Sequence, residues 1–224
     1  MQKNLFLLYI VLGFLLQSCF SDGNLKQNNL PKSMNDSTFL ETVHQYEDED
    51  RILWQKPELI LEKLGDLSQK TVADVGAGTG YFTFRLLPSA KKVIAVDVEP
   101  RFVRFIDSIS VELPEKLSDK LETRLALGAS PELKANEADV VLMVNTFMFV
   151  NDKSGFLKNV YNSMNVGGQI LIVDYKKKDL PIGPNLEEKL NVSDVINSLQ
   201  TAGFQMVTSD ELSLDYQYLI IGRK

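Results

Sequence analysis

Residues 72–86 read VADVGAGTGYFTFRL. A β-rich run carries one acid, Asp74, and ends at Val75; Gly76, Gly78 and Gly80 follow at every second position, and an amphipathic run then begins. Glycine enters left-handed backbone without a Cβ clash, so this spacing predicts a tight turn from a strand straight into a helix. The first N–H groups of such a helix are unpaired and face whatever lies beyond the strand end. The dinucleotide fingerprint is G-x-G-x-x-G, and this turn is one residue shorter. The next β-rich run, KVIAVDV at 92–98, brings in Asp97 about 20 residues later, where an acid can accept from ribose hydroxyls. A nucleoside with an attached chain fits these features better than a dinucleotide.

Outward from this turn, strands and helices alternate. RILWQKPELILEKLG, 51–65, predicts a helix with Pro57 in its first turn and Gly65 as its stop. Residues 71–75 predict the first strand, 79–88 a helix, 92–98 the second strand, and 99–110 a helix with Phe102, Phe105, Ile106 and Ile109 on one face. A weaker strand is expected at 121–127, and an apolar one at 138–147, suited to a sheet covered on both faces. A helix at 152–164, a strand at 169–175 and a helix at 191–204 with an Asn or Ser cap and Gly203 at its end follow. The runs at 205–210 and 214–221 have no helix between them, so they pair as a hairpin. The order implies a seven-stranded, mostly parallel α/β sheet with a C-terminal antiparallel strand and helices on both faces.

VADVGAGTGYF followed by VIAVDVEP resembles the class I S-adenosylmethionine-dependent methyltransferases, whose Rossmann-like fold has this order of elements. WQKPELI ahead of the turn, and NVGGQILIVDYKKKDLPIGPN, AGF and YQYLI after it, look like a bacterial small-molecule-type subgroup similar to the quinone-biosynthesis methyltransferases. The resemblance implies S-adenosylmethionine as cofactor. It would place Asp74 at the loop and the amino-acid portion, and Gly76, Ala77, Gly78 and Gly80, with Thr79 and Tyr81, around the methionine and ribose portions. Asp97 would take the ribose hydroxyls and Val98 the adenine. Gly128, Ala129 and Ser130 occupy the adenine-edge position, where many relatives carry an acid that this chain lacks. Asn145 would lie near the reacting methyl.

A methyl already activated on sulfur needs an acceptor held in line and water kept out; a base is needed only if the acceptor must lose a proton. NTFMFVND after the fourth strand lacks the Asn/Asp-Pro-Pro-aromatic motif of amine-methylating nucleic-acid enzymes, and net charge −6 offers no basic surface, so nucleic acid is not the expected partner. The expected acceptor is a small molecule. Phe147, Met148 and Phe149 stand where many relatives show histidines, and read chiefly as core. Asn145 stands where metal-dependent relatives have an acid, so no metal is expected. His44, the single histidine, and Asp174 at the end of the fifth strand are the candidate bases. The acidic run 47–50 and Lys176–Lys178 read as solvated faces. The alternative function is a non-catalytic S-adenosylmethionine or nucleoside-binding module.

The N-terminus points elsewhere. Lys3 precedes an apolar run of 12 residues, 5–16, too short for a comfortable membrane span but suited to a secretory signal. LQSC, 16–19, resembles a bacterial lipobox with Cys19, the single cysteine, as the lipidated residue. The expected organisation is a signal peptide at 1–18, a polar tether at 19–38 and a methyltransferase domain at 39–224, anchored by lipid outside the inner membrane, or cytoplasmic if the signal is not processed. A cofactor made in the cytoplasm and an export signal stand in tension.

Overall fold

The computed structural model describes residues 37–48, 50–127 and 130–224. The proposed signal, Cys19 and the tether as far as residue 36 lie outside the described residues, as do Gly128 and Ala129, while residues 37 and 38 of the expected tether are helical. Thr42–Lys224 form one compact unit.

Seven strands form one sheet: β1 (Thr71–Val75), β2 (Lys92–Asp97), β3 (Leu121–Leu125), β4 (Ala138–Val144), β5 (Met164–Tyr175), β6 (Gln205–Asp210) and β7 (Gln217–Arg223). Their spatial order is β3-β2-β1-β4-β5-β7-β6. β1 pairs in parallel with β2 and β4, β2 with β3 and β4 with β5, while β7 runs antiparallel to β5 and β6. Strand order reverses between β1 and β4, which opens a crevice at their carboxyl ends. This is the α/β architecture expected from the alternation, down to the closing antiparallel strand.

The helices are α1 (Ser37–Tyr46), α2 (Arg51–Gln55), α3 (Pro57–Glu62), α4 (Tyr81–Leu86), α5 (Pro100–Ser110), α6 (Glu115–Ser118), α7 (Lys153–Ser163) and α8 (Val192–Ala202). Their apolar residues cover the sheet: Phe156, Leu157, Val160, Val195 and Leu199 join Val141, Met143, Ile170 and Ile172 in one buried cluster. Glu99 caps α5 through its side chain, and Gly203 ends α8 at φ +111°.

Several boundaries differ from the sequence expectation. The helix expected over 51–65 is two helices, broken at Lys56, which sits at φ +50°. Pro57 has no N–H and its ring disfavours helical backbone at the residue before it, so α2 ends there and α3 starts on the proline. β4 stops at Val144, and Phe147–Phe149 form a single 3₁₀ turn. β5 begins at Met164, because Gly167 N and Gly168 O are bonded to the O and N of Lys224. In β6, register shifts between Gln205 and Thr208, where Met206 has φ +46°.

Candidate functional site

The crevice is walled on one side by backbone. Gly76, Gly78 and Gly80 all have left-handed φ, at +78°, +57° and +86°. A Cβ on Gly76 would lie 2.2 Å from Thr146 Oγ1, and one on Gly80 2.6 Å from the Phe84 ring, so neither position admits a side chain without displacement. Gly76 N and Ala77 N both donate to Val96 O (2.8 and 3.0 Å), which draws the turn onto the end of β2.

Two acids flank this turn. Asp74 is buried and accepts from Thr83 Oγ1 at 2.6 Å. Burial pushes its carboxyl up to about 6, against the Thr83 hydrogen bond and with the help of nearby Asp97. Asp97 accepts from Gly78 N at 2.8 Å and Glu99 N at 2.9 Å. Burial raises its pKa, and these backbone donors oppose the rise. Val98, next in the chain, and Leu127, beyond β3, are exposed apolar side chains at the ends of adjacent strands. Ser130 is partly exposed. These features fit an adenosine carrying a charged chain: an acid for a diol, an apolar floor, and a turn of left-handed glycine backbone. The Tyr81 hydroxyl, buried with no partner among the described residues, is one more polar group at the mouth of α4.

The segment ahead of α2 contributes what the sequence did not announce. Tyr46 stacks on Phe102 with centroids 5.6 Å apart, and a Cβ on Gly78 would meet its ring at 3.3 Å. Glu47 accepts from Thr79 Oγ1 at 2.5 Å. Burial raises the Glu47 pKa, opposed by that bond and by Arg51 and Arg85. The expectation that the whole acidic run is a solvated face is therefore corrected for Glu47; Asp48 and Asp50 are exposed. The Arg51 guanidinium lies 3.9 Å from the Tyr81 ring centroid and Arg85 lies 3.6 Å from it, both within cation–π range. Lys176 likewise leaves its expected solvated face, donating to Leu214 O (2.7 Å) and Asp215 O (3.1 Å).

The other side of the crevice is made of side chains. Asn145 follows β4 at φ +55°, a left-handed conformation that asparagine tolerates better than most residues. Thr146 Oγ1 donates to Val144 O at 2.9 Å and stands 3.5 Å from Gly76 O. Phe147 is fully buried and Met148 nearly so, as core residues should be, whereas Phe149 is 56% exposed. Asp174, 1% exposed, accepts from Met148 N at 3.1 Å and so ties the turn after β4 to the end of β5. Its second oxygen has no partner among the described residues. Burial pushes its carboxyl up to about 8, opposed by the Met148 and Thr146 amides. His44 is exposed on α1. The structure thus gathers Asp74, the glycine turn, Thr79, Tyr81 and Asp97 into one wall, sets Asn145 opposite, and leaves Asp174 beneath the turn rather than on its surface. Among the described residues, no group of three His, Cys, Asp or Glu is arranged to hold a metal ion.

Residues 73–170 match the family model of a methyltransferase domain. A protein of Methanocaldococcus jannaschii, provisionally named a protein N5-glutamine methyltransferase, is 23% identical over 181 residues, covering 73% of this chain and 85% of its own. The crystal structure of a SAM-dependent methyltransferase from Aquifex aeolicus is 25% identical with a TM-score of 0.73, covering 81% of this chain and 96% of that one. Haemonchus contortus phosphoethanolamine N-methyltransferase 2, solved with S-adenosyl-L-methionine, shares the fold at 12% identity and a TM-score of 0.68, covering 88% of this chain and 59% of that one. With the sheet order, the glycine turn and these matches in agreement, the chain is an S-adenosylmethionine-dependent methyltransferase.

Proposed function

We propose that this enzyme methylates a small-molecule acceptor without a metal ion, in a domain held outside the inner membrane by a lipid on Cys19. The observation that carries the methyl-transfer reading is the triple left-handed glycine turn lying between the buried carboxyls of Asp74 and Asp97. S-adenosylmethionine, when bound, supplies an activated methyl group. Asp74 faces the positive amino group of its amino-acid portion. Gly76, Ala77, Gly78, Thr79, Gly80 and Tyr81 let the backbone run close beneath the methionine and ribose. Asp97 accepts from the ribose hydroxyls. Val98 and Leu127, with Ala129, border the adenine, and Asn145 lies beside the methyl.

The acceptor side supports a small molecule. Exposed Phe149 offers an apolar contact at the crevice rim, in keeping with the quinone-type resemblance. An amide rather than a carboxylate ends β4, which favours metal-free transfer. Asp174 keeps its proton at neutral pH and holds the turn, which leaves His44, exposed on α1, as the candidate base. Lys3, the short apolar run and LQSC support the anchor.

Calorimetric titration with S-adenosylmethionine tests the cofactor reading: one saturable site is expected, and no heat at millimolar cofactor would overturn it. Binding without turnover over a panel of phenols, carboxylic acids and amines would favour a binding module instead. Mass spectrometry of the N-terminus in membrane and soluble fractions tests the anchor, and an intact Met1 in the soluble fraction would sink it.

A further inference from the structure

A one-way chain of side-chain hydrogen bonds runs from α2 to the end of β4. Arg51 Nε donates to Gln55 Oε1 at 2.5 Å. Gln55 Nε2 donates to Gln217 Oε1 at 3.1 Å, and Gln217 Nε2 to Asn145 Oδ1 at 2.5 Å. Both glutamines are 0% exposed. The direction is forced by chemistry. A guanidinium has donors only, so the Gln55 atom that faces Arg51 must be oxygen. That turns the Gln55 amide nitrogen toward Gln217, whose oxygen must meet it, and leaves the Gln217 nitrogen for Asn145. One lone pair of the Asn145 oxygen is therefore engaged, and its amide nitrogen is turned the other way. Among the described residues no group accepts from that nitrogen, and it is not enclosed by protein. Asn145 directly precedes Thr146, which abuts Gly76, so this open donor stands at the crevice.

We infer that Asn145 donates a hydrogen bond to a carboxylate or similar oxyanion at the transfer site, and that Arg51, Gln55 and Gln217 are positioning residues that fix its orientation. The inference rests on the methyltransferase reading above. Burying two glutamines is unfavourable unless their polar atoms are paired, and here the pairing ends in a donor aimed at the ligand. The oxyanion can come from the amino-acid carboxylate of the cofactor or from the acceptor. An amine held by its own N–H groups would find only the second lone pair of an oxygen that Gln217 already engages, whereas an oxyanion meets an open N–H donor.

The side-chain amide signal of Asn145 in ¹⁵N-labelled full-length protein, assigned by its loss in Asn145→Asp, reads this directly. A shift with S-adenosylhomocysteine but not with 5′-methylthioadenosine, which lacks the amino acid, assigns the carboxylate to the cofactor. A shift with benzoate at least tenfold below the concentration needed for benzylamine assigns it to the acceptor. Equal response to methylthioadenosine and S-adenosylhomocysteine with no benzoate preference overturns the inference. So does no response to any probe. If calorimetry shows no S-adenosylhomocysteine binding, the methyltransferase reading fails while the benzoate and benzylamine arm still tests the donor. Gln217→Glu, which can accept from Gln55 but cannot donate to Asn145, is expected to cut the observed discrimination below threefold, and Gln55→Met, a gentler change, to cut it in the same direction. Lower thermal stability in both with the discrimination intact would overturn the positioning role.

Discussion

The two walls of the crevice are built on different principles. The β1–β2 wall is main chain: three glycines in left-handed backbone, two amides on Val96 O, and Asp97 accepting from the N–H groups of Gly78 and Glu99. The β4–β5–β7 wall is side chain: Asn145, Gln217 and Gln55 bonded in series, with Asp174 under the turn. Main chain cannot be changed by substitution except where a Cβ intrudes, so the first wall suits a ligand that stays the same. Side chains can be exchanged one at a time, so the second suits the partner that gives an enzyme its specificity. Substitutions should therefore separate cofactor binding from acceptor choice.

The largest effect is expected at Gly76. Gly76→Ala places a Cβ 2.2 Å from Thr146 Oγ1 at a positive φ, so the two walls are forced apart. S-adenosylmethionine binding by calorimetry should fall more than 100-fold, with the fold retained by circular dichroism; binding within threefold of the parent would show that the turn does not form the cradle.

Asp174→Asn comes next and acts on stability. The folded carboxyl keeps its proton up to about pH 8, while the unfolded one releases it near its ordinary value. Between those points the folded state binds the extra proton, so its stability falls as pH rises through that window and stays lowered above it. The amide can still accept from Met148 N and has no proton to lose. The variant should match the parent near pH 4 and exceed it by a few kcal/mol at pH 8, read from urea midpoints. Parallel pH curves for the two proteins would mean that Asp174 is ionised in the fold.

A smaller loss is expected from Asp97→Asn. One oxygen can still accept from a backbone amide, but the charge-assisted bonds to the ribose are weakened, so affinity should drop ten- to 100-fold, about 1.5–3 kcal/mol. An unchanged affinity would move the ribose away from Asp97. The smallest effect is at Phe149, which is more than half exposed. Phe149→Ala should alter stability by less than about 0.5 kcal/mol and leave cofactor affinity within twofold while lowering acceptor turnover. Weaker cofactor binding would blur the division between the walls.

That division also explains what the sequence disclosed. The cradle is local: Asp74, three glycines and Asp97 fall within a single β-α-β unit, and turn geometry demands glycine whatever surrounds it. The sheet order followed from the alternation for the same reason. The hydrogen-bonded array joins residues 162 and 72 positions apart, and glutamine belongs to no motif. Its single trace in the sequence is the polar Gln217 inside YQYLI, an otherwise apolar strand. Glu47 and Arg51 were hidden by their neighbours, since a run of acids looks solvated until the fold shows which one turns inward. The break at Lys56 was written in Pro57, but a proline reads equally well as the first turn of one helix.

The irregular strand β6 carries a consequence of another kind. Among the described residues, the outermost strands of the sheet are β3 and β6. Lysine and arginine engage Glu122 along β3, at 2.5 Å from Lys92 and 2.7 Å from Arg124, and the register of β6 shifts around Met206, whose φ is positive. Charged side chains and bulges are how sheets avoid templating the strand of a neighbour. Crowded together, copies of this enzyme would meet, among the described residues, outer strands that are either charged or irregular, and the sheet is guarded against aggregation at both ends.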